Sequence, residues 1–308
     1  MVESPAPSGV LVIDKPTGMT SHDVVGRMRR VLGTRRVGHA GTLDPMATGV
    51  LVLGVNRGTR LLHYLVGADK SYQATIRLGI TTSTEDAEGQ VEQVCSPTEN
   101  TREQLGDAVA RFRGDVMQVP SAVSAIKVDG KRAYARVRAG EKVELKARPV
   151  RIDRFDVERV HTHQLHSGEV VTDCDVVIDC SSGTYIRALA RDIGIELGVG
   201  GHLIALRRTR VGNYELETAT QLPEAGEPVA LMSLGEAGSK LFPVRNLSLS
   251  EAKDLSFGKF ISRNPDDAVG SKTDPVGGFG PDGGLIALLE GDGEIFRPTV
   301  VFAPAGSN

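Results

Sequence analysis

A lone carboxylate, Asp44, sits in the stretch Gly38-His-Ala-Gly-Thr-Leu-Asp-Pro-Met-Ala-Thr-Gly49, where three glycines and a proline make a loop shaped by its backbone. Asp before Pro45 is a common turn or helix-cap arrangement, and that is one reading of the pair. The other is chemical: a carboxylate on a tight loop beside basic surface can act as a nucleophile toward a nucleic-acid substrate. His39 in the same stretch reads, taken alone, as a loop histidine. Tyr72 lies on an otherwise apolar strand face and reads from the pattern as a core tyrosine. No His/Cys/Asp/Glu group has zinc spacing, and His161, His163 and His166 read as a solvated loop, so no metal is expected.

These residues need elements to hold them. Gly9 to Lys15 is an apolar strand stopped by Pro16. Thr20 and Asp23 form a capping-box start, with Asp in place of the usual Glu, for a helix whose apolar stripe is Val24, Val25, Met28, Val31 and Leu32 and which ends at Gly33. A strand over Gly49 to Val55 precedes a short helix near Thr59 to Leu65. From Lys70 to Ile80 the alternation puts Tyr72, Ala74, Ile76, Leu78 and Ile80 on one face. Strands are expected over Val143 to Val160 and Val170 to Cys180, and a helix over Tyr185 to Leu197 that buries Ile186, Leu189, Ala190, Ile193 and Leu197. Strands dominate and hairpins outnumber βαβ units, which predicts an α+β fold with an extended mixed or antiparallel sheet flanked by helices. Residues 1–8 are expected to be a flexible start and 9–240 one catalytic domain. Residues 241–308 read as a small β domain, with a Gly/Pro loop over 270–284 and a terminal hairpin.

The chain has 308 residues with 40% hydrophobic and 24% charged content, ordinary for a globular protein and incompatible with a disordered or collagenous one. No apolar run reaches the roughly 18 residues of a membrane span, and the start lacks a secretory pattern, so a cytoplasmic protein is expected. Its three cysteines fit no disulfide framework, and Cys174 and Cys180 lie on one strand, too far apart to bridge. The net charge of −3 hides an asymmetry: the first 214 residues carry 29 basic and 25 acidic side chains, the remainder 7 and 14. Three basic blocks stand out: Arg27 to Arg36, Lys127 to Arg148 with eight Lys/Arg against three acids, and Arg207, Arg208 and Arg210. Together they point to a polyanionic partner.

The loop Gly38 to Gly49 closely resembles the signature of the TruB family of tRNA pseudouridine synthases. Four further motifs agree in order: Gly9-Val-Leu-Val-Ile-Asp-Lys-Pro-Thr-Gly18; Asp69-Lys-Ser-Tyr72 through Gly79; Pro120 to Gly130; and Cys180-Ser-Ser-Gly-Thr-Tyr-Ile-Arg187 with Leu206-Arg-Arg-Thr. Val123 stands where the family often has an aromatic and Ser182 where it often has lysine, positions that bear on RNA contacts more than on chemistry. The tail resembles the family's PUA-like β domain in position and strand rhythm.

The resemblance implies isomerisation of the T-loop uridine at position 55 of tRNA to pseudouridine, on a flipped-out base and without a cofactor. Asp44 would be the nucleophile, toward C6 of the uracil or C1′ of the ribose, and Arg187 its fixed cation. Tyr72 would stack on the base and help remove the C5 proton. Tyr185 and Leu206 would line the pocket, His39 would fill the gap left by the flipped base, and Lys15 would support the site loop. A basic insertion near 120–150, including Lys127, would clasp the T arm, and the enzyme is expected to be a monomer. An RNA-folding chaperone and a synthase with another RNA target are the competing readings. A glycosidase is disfavoured because no second acid accompanies Asp44 in its motif.

Overall fold

A computed structural model describes residues 7–123, 127–128, 131–132, 136, 141 and 145–303. Its main sheet has ten strands. Eight lie side by side in the order Thr220–Gln221, Gly9–Lys15, Thr48–Val55, Gly201–Val211, Lys70–Leu78, Val170–Cys180, Arg148–Gln164 and Gly114–Gln118. Val37–Ala40 pairs with Thr48–Val55, and Tyr214–Glu215 with Gly201–Val211. Neighbours are antiparallel except where Gly9–Lys15 meets Thr220–Gln221 and where Thr48–Val55 meets Gly201–Val211. This is the mixed sheet expected of an α+β fold.

Alternation splits the two N-terminal strands between two cores. Leu11, Ile13, Leu51 and Leu53 pack with Val24, Val25 and Met28 of the helix Ser21–Val31, while Val10, Val12, Val50 and Val52 face another cluster. The Thr20–Asp23 capping box is formed, and Gly33 takes φ 62° just beyond the helix. The expected short helix is a 3₁₀ turn, Asn56–Arg60, followed by Leu62–Val66. Cys174 and Cys180 are buried free thiols on Val170–Cys180. A third core brings Tyr72, Ala74, Ile76 and Leu78 against Ile186, Leu189, Ala190 and Ile193 of the helix Ile186–Glu196.

Several expectations are corrected. The histidines expected in a loop extend a strand: His161 and His163 belong to Arg148–Gln164, their rings stacked 4.9 Å apart. Only His166 lies in the turn beyond it. The stretch around His39 is likewise a strand, Val37–Ala40. The Gly/Pro loop over 270–284 contains the fully buried strand Val276–Phe279. Its glycines serve close packing: a Cβ on Gly277 would lie 2.5 Å from the Phe279 ring. The third basic block is only in part surface: Arg208 is 1% exposed, while Arg207, paired with Asp14 at 2.7 Å, and Arg210, 3.8 Å from Asp179, stay about a third exposed. The helix Glu99–Ala110 and the strand Gly114–Gln118 were not assigned from the pattern.

The C-terminal sheet orders its strands Val244–Asn246, Val276–Phe279, Leu285–Asp292, Ile295–Val301 and Ile261–Ser262, and the last long pair is the expected hairpin, turning at Gly293 with φ 61°. Phe242, Phe279, Leu285, Leu288 and Phe302 share one core with Val10, Val50, Leu65 and Tyr214 of the main sheet. Arg57 and Arg60 clamp the seam by donating to the carbonyls of Phe302 and Val301. Among the described residues no helix is long and apolar enough to cross a membrane.

Candidate active site

The loop between Val37–Ala40 and Thr48–Val55 carries Asp44, and its backbone is held from three directions. Lys15, fully buried, donates to the carbonyls of Pro16 at 2.8 Å, Met19 at 2.7 Å and Pro45 at 3.2 Å. Ser21 Oγ both donates to the Leu43 carbonyl and accepts its N–H. Arg208 donates to the carbonyls of Val50, Gly41 and Thr42 at 2.7, 3.2 and 3.4 Å. Asp44 starts a turn closed by the Ala47 N–H and caps no helix.

Arg187, on the first turn of Ile186–Glu196, meets Asp44 with two parallel bonds: Nε to Oδ2 at 2.9 Å and Nη2 to Oδ1 at 3.2 Å. The fork fixes the carboxylate plane as a lysine could not. Its side chain is 6% exposed and that of Asp44 33%, so the anion faces open space while its counter-ion is enclosed. The remaining Arg187 donors reach the carbonyls of Thr84 and Val123 at 3.1 and 2.9 Å, and Nη1 lies 3.4 Å from Asp86 Oδ2. Asp86, 4% exposed, is thus a second carboxylate on the same guanidinium.

Asp44 opens onto a cavity of about 370 Å³ that Tyr72, Tyr185, Arg187 and Leu206 also line. The strand register explains the gathering: Tyr72 pairs with Arg208 and Ala74 with Leu206, so all four point to one face. The Tyr72 phenol is pushed up from its ordinary range, mainly by burial, and stays protonated at neutral pH. Lys70 and Arg208 line the same cavity and were given no role from sequence. Extending the alternation one step back from Tyr72, and one step on from Leu206, would have found both. Lys70 donates to the carbonyls of Ala68 and Val66 at 2.6 and 3.3 Å, and burial, aided by Arg208, brings its pKa down to about 8. Lys15 is likewise lowered to about 8, mainly by burial, although the nearby Asp44 charge opposes this.

The other expected site residues lie elsewhere. Lys15 acts behind the loop, outside the cavity lining. His39 packs edge-to-face on His22, ring centroids 5.5 Å apart, and burial first, then His22, depresses its pKa. Lys127 belongs to a two-residue strand paired with Lys131–Arg132, and most of the basic stretch around it lies outside the described residues. Asp86 carried no sequence signal, since the chain brings it to Arg187 from a hairpin between Ile80–Thr82 and Val91–Val94.

The pattern described as TruB family pseudouridylate synthase (N terminal domain) matches residues 29–186, just over half of the chain. The chain belongs to the TruB family. Two C-terminal patterns follow it, tRNA pseudouridylate synthase B C-terminal domain over 187–232 and tRNA Pseudouridine synthase II, C terminal, over 242–303. The chain is 56% identical over 297 residues to a Mycobacterium leprae protein named tRNA pseudouridine synthase B, covering 96% of this chain and 91% of that one. A protein of the same name from Paenarthrobacter aurescens is 54% identical over 302 residues, covering 96% of each. The fold is also that of a chain in the structure of an H/ACA RNP bound to a substrate RNA containing 2′-deoxyuridine. The TM-score there is 0.70 at 24% identity, covering 97% of this chain and 86% of that one. As a TruB family pseudouridine synthase, the protein carries its bidentate Asp44–Arg187 pair at the mouth of the cavity.

Proposed function

We propose that the protein converts the uridine at position 55 in the T loop of tRNA to pseudouridine, with Asp44 as nucleophile on a flipped-out base. The relatives named for tRNA support the substrate, and the resemblance of the five motifs supports the position. The observation that carries the chemistry is the Asp44–Arg187 fork: two parallel charge-assisted hydrogen bonds fix the plane of the carboxylate and leave it facing the cavity. A cavity of about 370 Å³ is at the small end of the range for ligand sites, about 300–1,000 Å³, which suits one nucleotide.

In this reading the uridine leaves its stack and lies on the Tyr72 ring, a contact that contributes about 1–3 kcal/mol per base and offsets part of the cost of extrusion. Asp44 attacks C6 of the ring or C1′ of the ribose, and the N1–C1′ bond breaks. The uracil turns, C5 bonds to C1′, the aspartyl adduct is released, C5 loses its proton and N1 gains one. The Tyr72 phenol, held protonated, relays that proton rather than acting as a free phenolate. The isomerisation is redox-neutral and needs no metal or cofactor. Recognition of the folded T arm rests on splayed loop bases and on phosphates met by the basic stretch Lys127 to Arg148. The protein works as a monomer in the cytoplasm, where tRNA is.

The test follows tritium released from C5 of uracil in a T-arm stem–loop RNA, comparing the native protein with Asp44→Asn. Release by the native protein alone is expected. Equal release by the variant would remove Asp44 from the mechanism. Tight RNA binding without release from either protein would favour an RNA chaperone.

A further inference from the structure

We propose that Gln118 is a positioning residue for this reaction, acting on the pocket through Tyr185 and Arg187; the inference rests on the functional reading above. Gln118 is 2% exposed at the end of the edge strand Gly114–Gln118, paired with Arg148. Its carboxamide grips the backbone of one distant residue from both sides: Oε1 accepts the Tyr185 N–H at 2.8 Å, and Nε2 donates to the Tyr185 carbonyl at 3.1 Å. A side chain thereby makes the two-bond bridge that a neighbouring strand would make.

The gripped residue sits where small displacements matter. Tyr185 lines the cavity and is the N-cap of Ile186–Glu196, with no side-chain cap of its own. Its carbonyl also accepts the Leu189 N–H at 3.2 Å, so the amide of Gln118 sets where the first helical turn begins. Arg187 follows two residues later and aims its fork at Asp44. The chain that continues from Gln118 returns to the same helix: Arg191 donates to the Val119 carbonyl at 2.7 Å, and Arg187 to Ser121 Oγ and the Val123 carbonyl. Within this run Gln118 is the residue whose side chain bonds the backbone of the N-cap itself, so it sets where the helix starts.

A carboxamide is needed because the bridge takes one donor and one acceptor. Methionine at 118 keeps the volume and loses both. Glutamate supplies both only when protonated; ionised, it turns a second acceptor toward the Tyr185 carbonyl. A shift of about 1 Å in a catalytic group can cost on the order of 10²-fold in rate, so kcat of Gln118→Met is expected to fall about 10- to 100-fold. KM and RNA affinity should stay at native values, the pattern of an interaction that acts in the transition state.

The experiment measures C5 tritium release and RNA binding for the native protein, Gln118→Met and Gln118→Glu, with thermal melts of each. Expected are a kcat loss without a KM change in the Met variant, and a Glu variant whose kcat, relative to native, recovers as pH falls and its new carboxyl is protonated. A Met variant with native kcat would overturn the proposal. So would loss of kcat and RNA binding in step with the folded fraction, together with a Glu variant whose pH profile parallels the native one. Failure of the native protein itself to release tritium would overturn the functional reading, and this inference with it.

Discussion

Both oxygens of Asp44 face the Arg187 guanidinium, Oδ2 at 2.9 Å from Nε and Oδ1 at 3.2 Å from Nη2, across 143 residues of chain. The same guanidinium lies 3.4 Å from Asp86 and holds the carbonyls of Thr84 and Val123. One buried cation therefore orients the proposed nucleophile and ties together the hairpin and loop around it.

The Arg187→Lys variant keeps the charge but loses the fork. Its kcat in the tritium assay is expected to drop by 10²-fold or more, about 3 kcal/mol in barrier, while RNA affinity holds. Arg187→Ala should in addition lower stability by about 3–5 kcal/mol, because it leaves Asp86 buried and unpaired. Urea denaturation of the two variants distinguishes these effects, and equal stability losses would contradict the assignment.

Two glycines of the site loop should respond very differently to alanine. Gly49 has φ 101°, and a Cβ there would lie 2.2 Å from the Arg208 carbonyl oxygen, at the parallel junction of Thr48–Val55 with Gly201–Val211. Gly41 has φ 83°, but its Cβ would make only ordinary contacts, with the Lys70 Cε at 3.4 Å and Arg208 Nη1 at 3.7 Å. Gly41→Ala is expected to cost about 1–2 kcal/mol, the penalty for a left-handed alanine, and to stay folded. Gly49→Ala should abolish the cooperative thermal transition or shift it far below that of Gly41→Ala, which a pair of melting curves decides.

Stability should rise with pH between about 8 and about 9. Unfolded Lys15 and Lys70 hold their protons up to the ordinary lysine value of 10.5, but the folded ones release them near 8. In that window the unfolded state binds more protons, so raising pH favours the fold. One proton of difference over one pH unit is worth about 1.4 kcal/mol, and with solvent screening each lysine contributes roughly 1 kcal/mol across the window. Lys70→Met should flatten the slope without reversing it. Above about pH 9 the thiols of Cys174 and Cys180, raised by burial, act the other way, and above about 10 the raised phenols of Tyr72 and Tyr214 join them, since the unfolded groups ionise first. Over the lower part of the same range the cavity loses the Lys70 charge, and the KM for RNA should climb in the native protein but not in Lys70→Met.

T-arm binding should weaken steeply with salt. Each phosphate neutralised contributes about 0.7–0.9 to the slope of log affinity against log salt. Replacing Lys127, Lys131 and Arg132 by glutamine should reduce that slope by about 2 to 3 if each meets a phosphate. Filter binding across a salt series gives the value, and an unchanged slope would remove this stretch from the interface.

Much of the fold was legible because local patterns carry it. The capping box at Thr20 and Asp23, the alternation from Tyr72 to Leu78 and the stripe of Ile186, Leu189, Ala190 and Ile193 each report which side of an element must leave water. Local rules erred where a residue type served packing rather than a turn, as at Gly277 and Gly278, and where arginines that read as surface charge were enclosed, as at Arg208.

The family, the α+β character and the loop that bears Asp44 can be read from the chain alone, because contiguous motifs and periodicity carry them. What surrounds that loop follows from long-range packing. Arg187, Asp86, Gln118, Lys70 and Arg208 come from separate strands, a hairpin and a helix, and their meeting depends on sheet register and on how a helix seats against it. Alternation marks Lys70 beside Tyr72 and Arg208 beside Leu206, but no local pattern says that Asp86 reaches Arg187 or that Gln118 reaches Tyr185, because those contacts form only when distant segments of chain pack together.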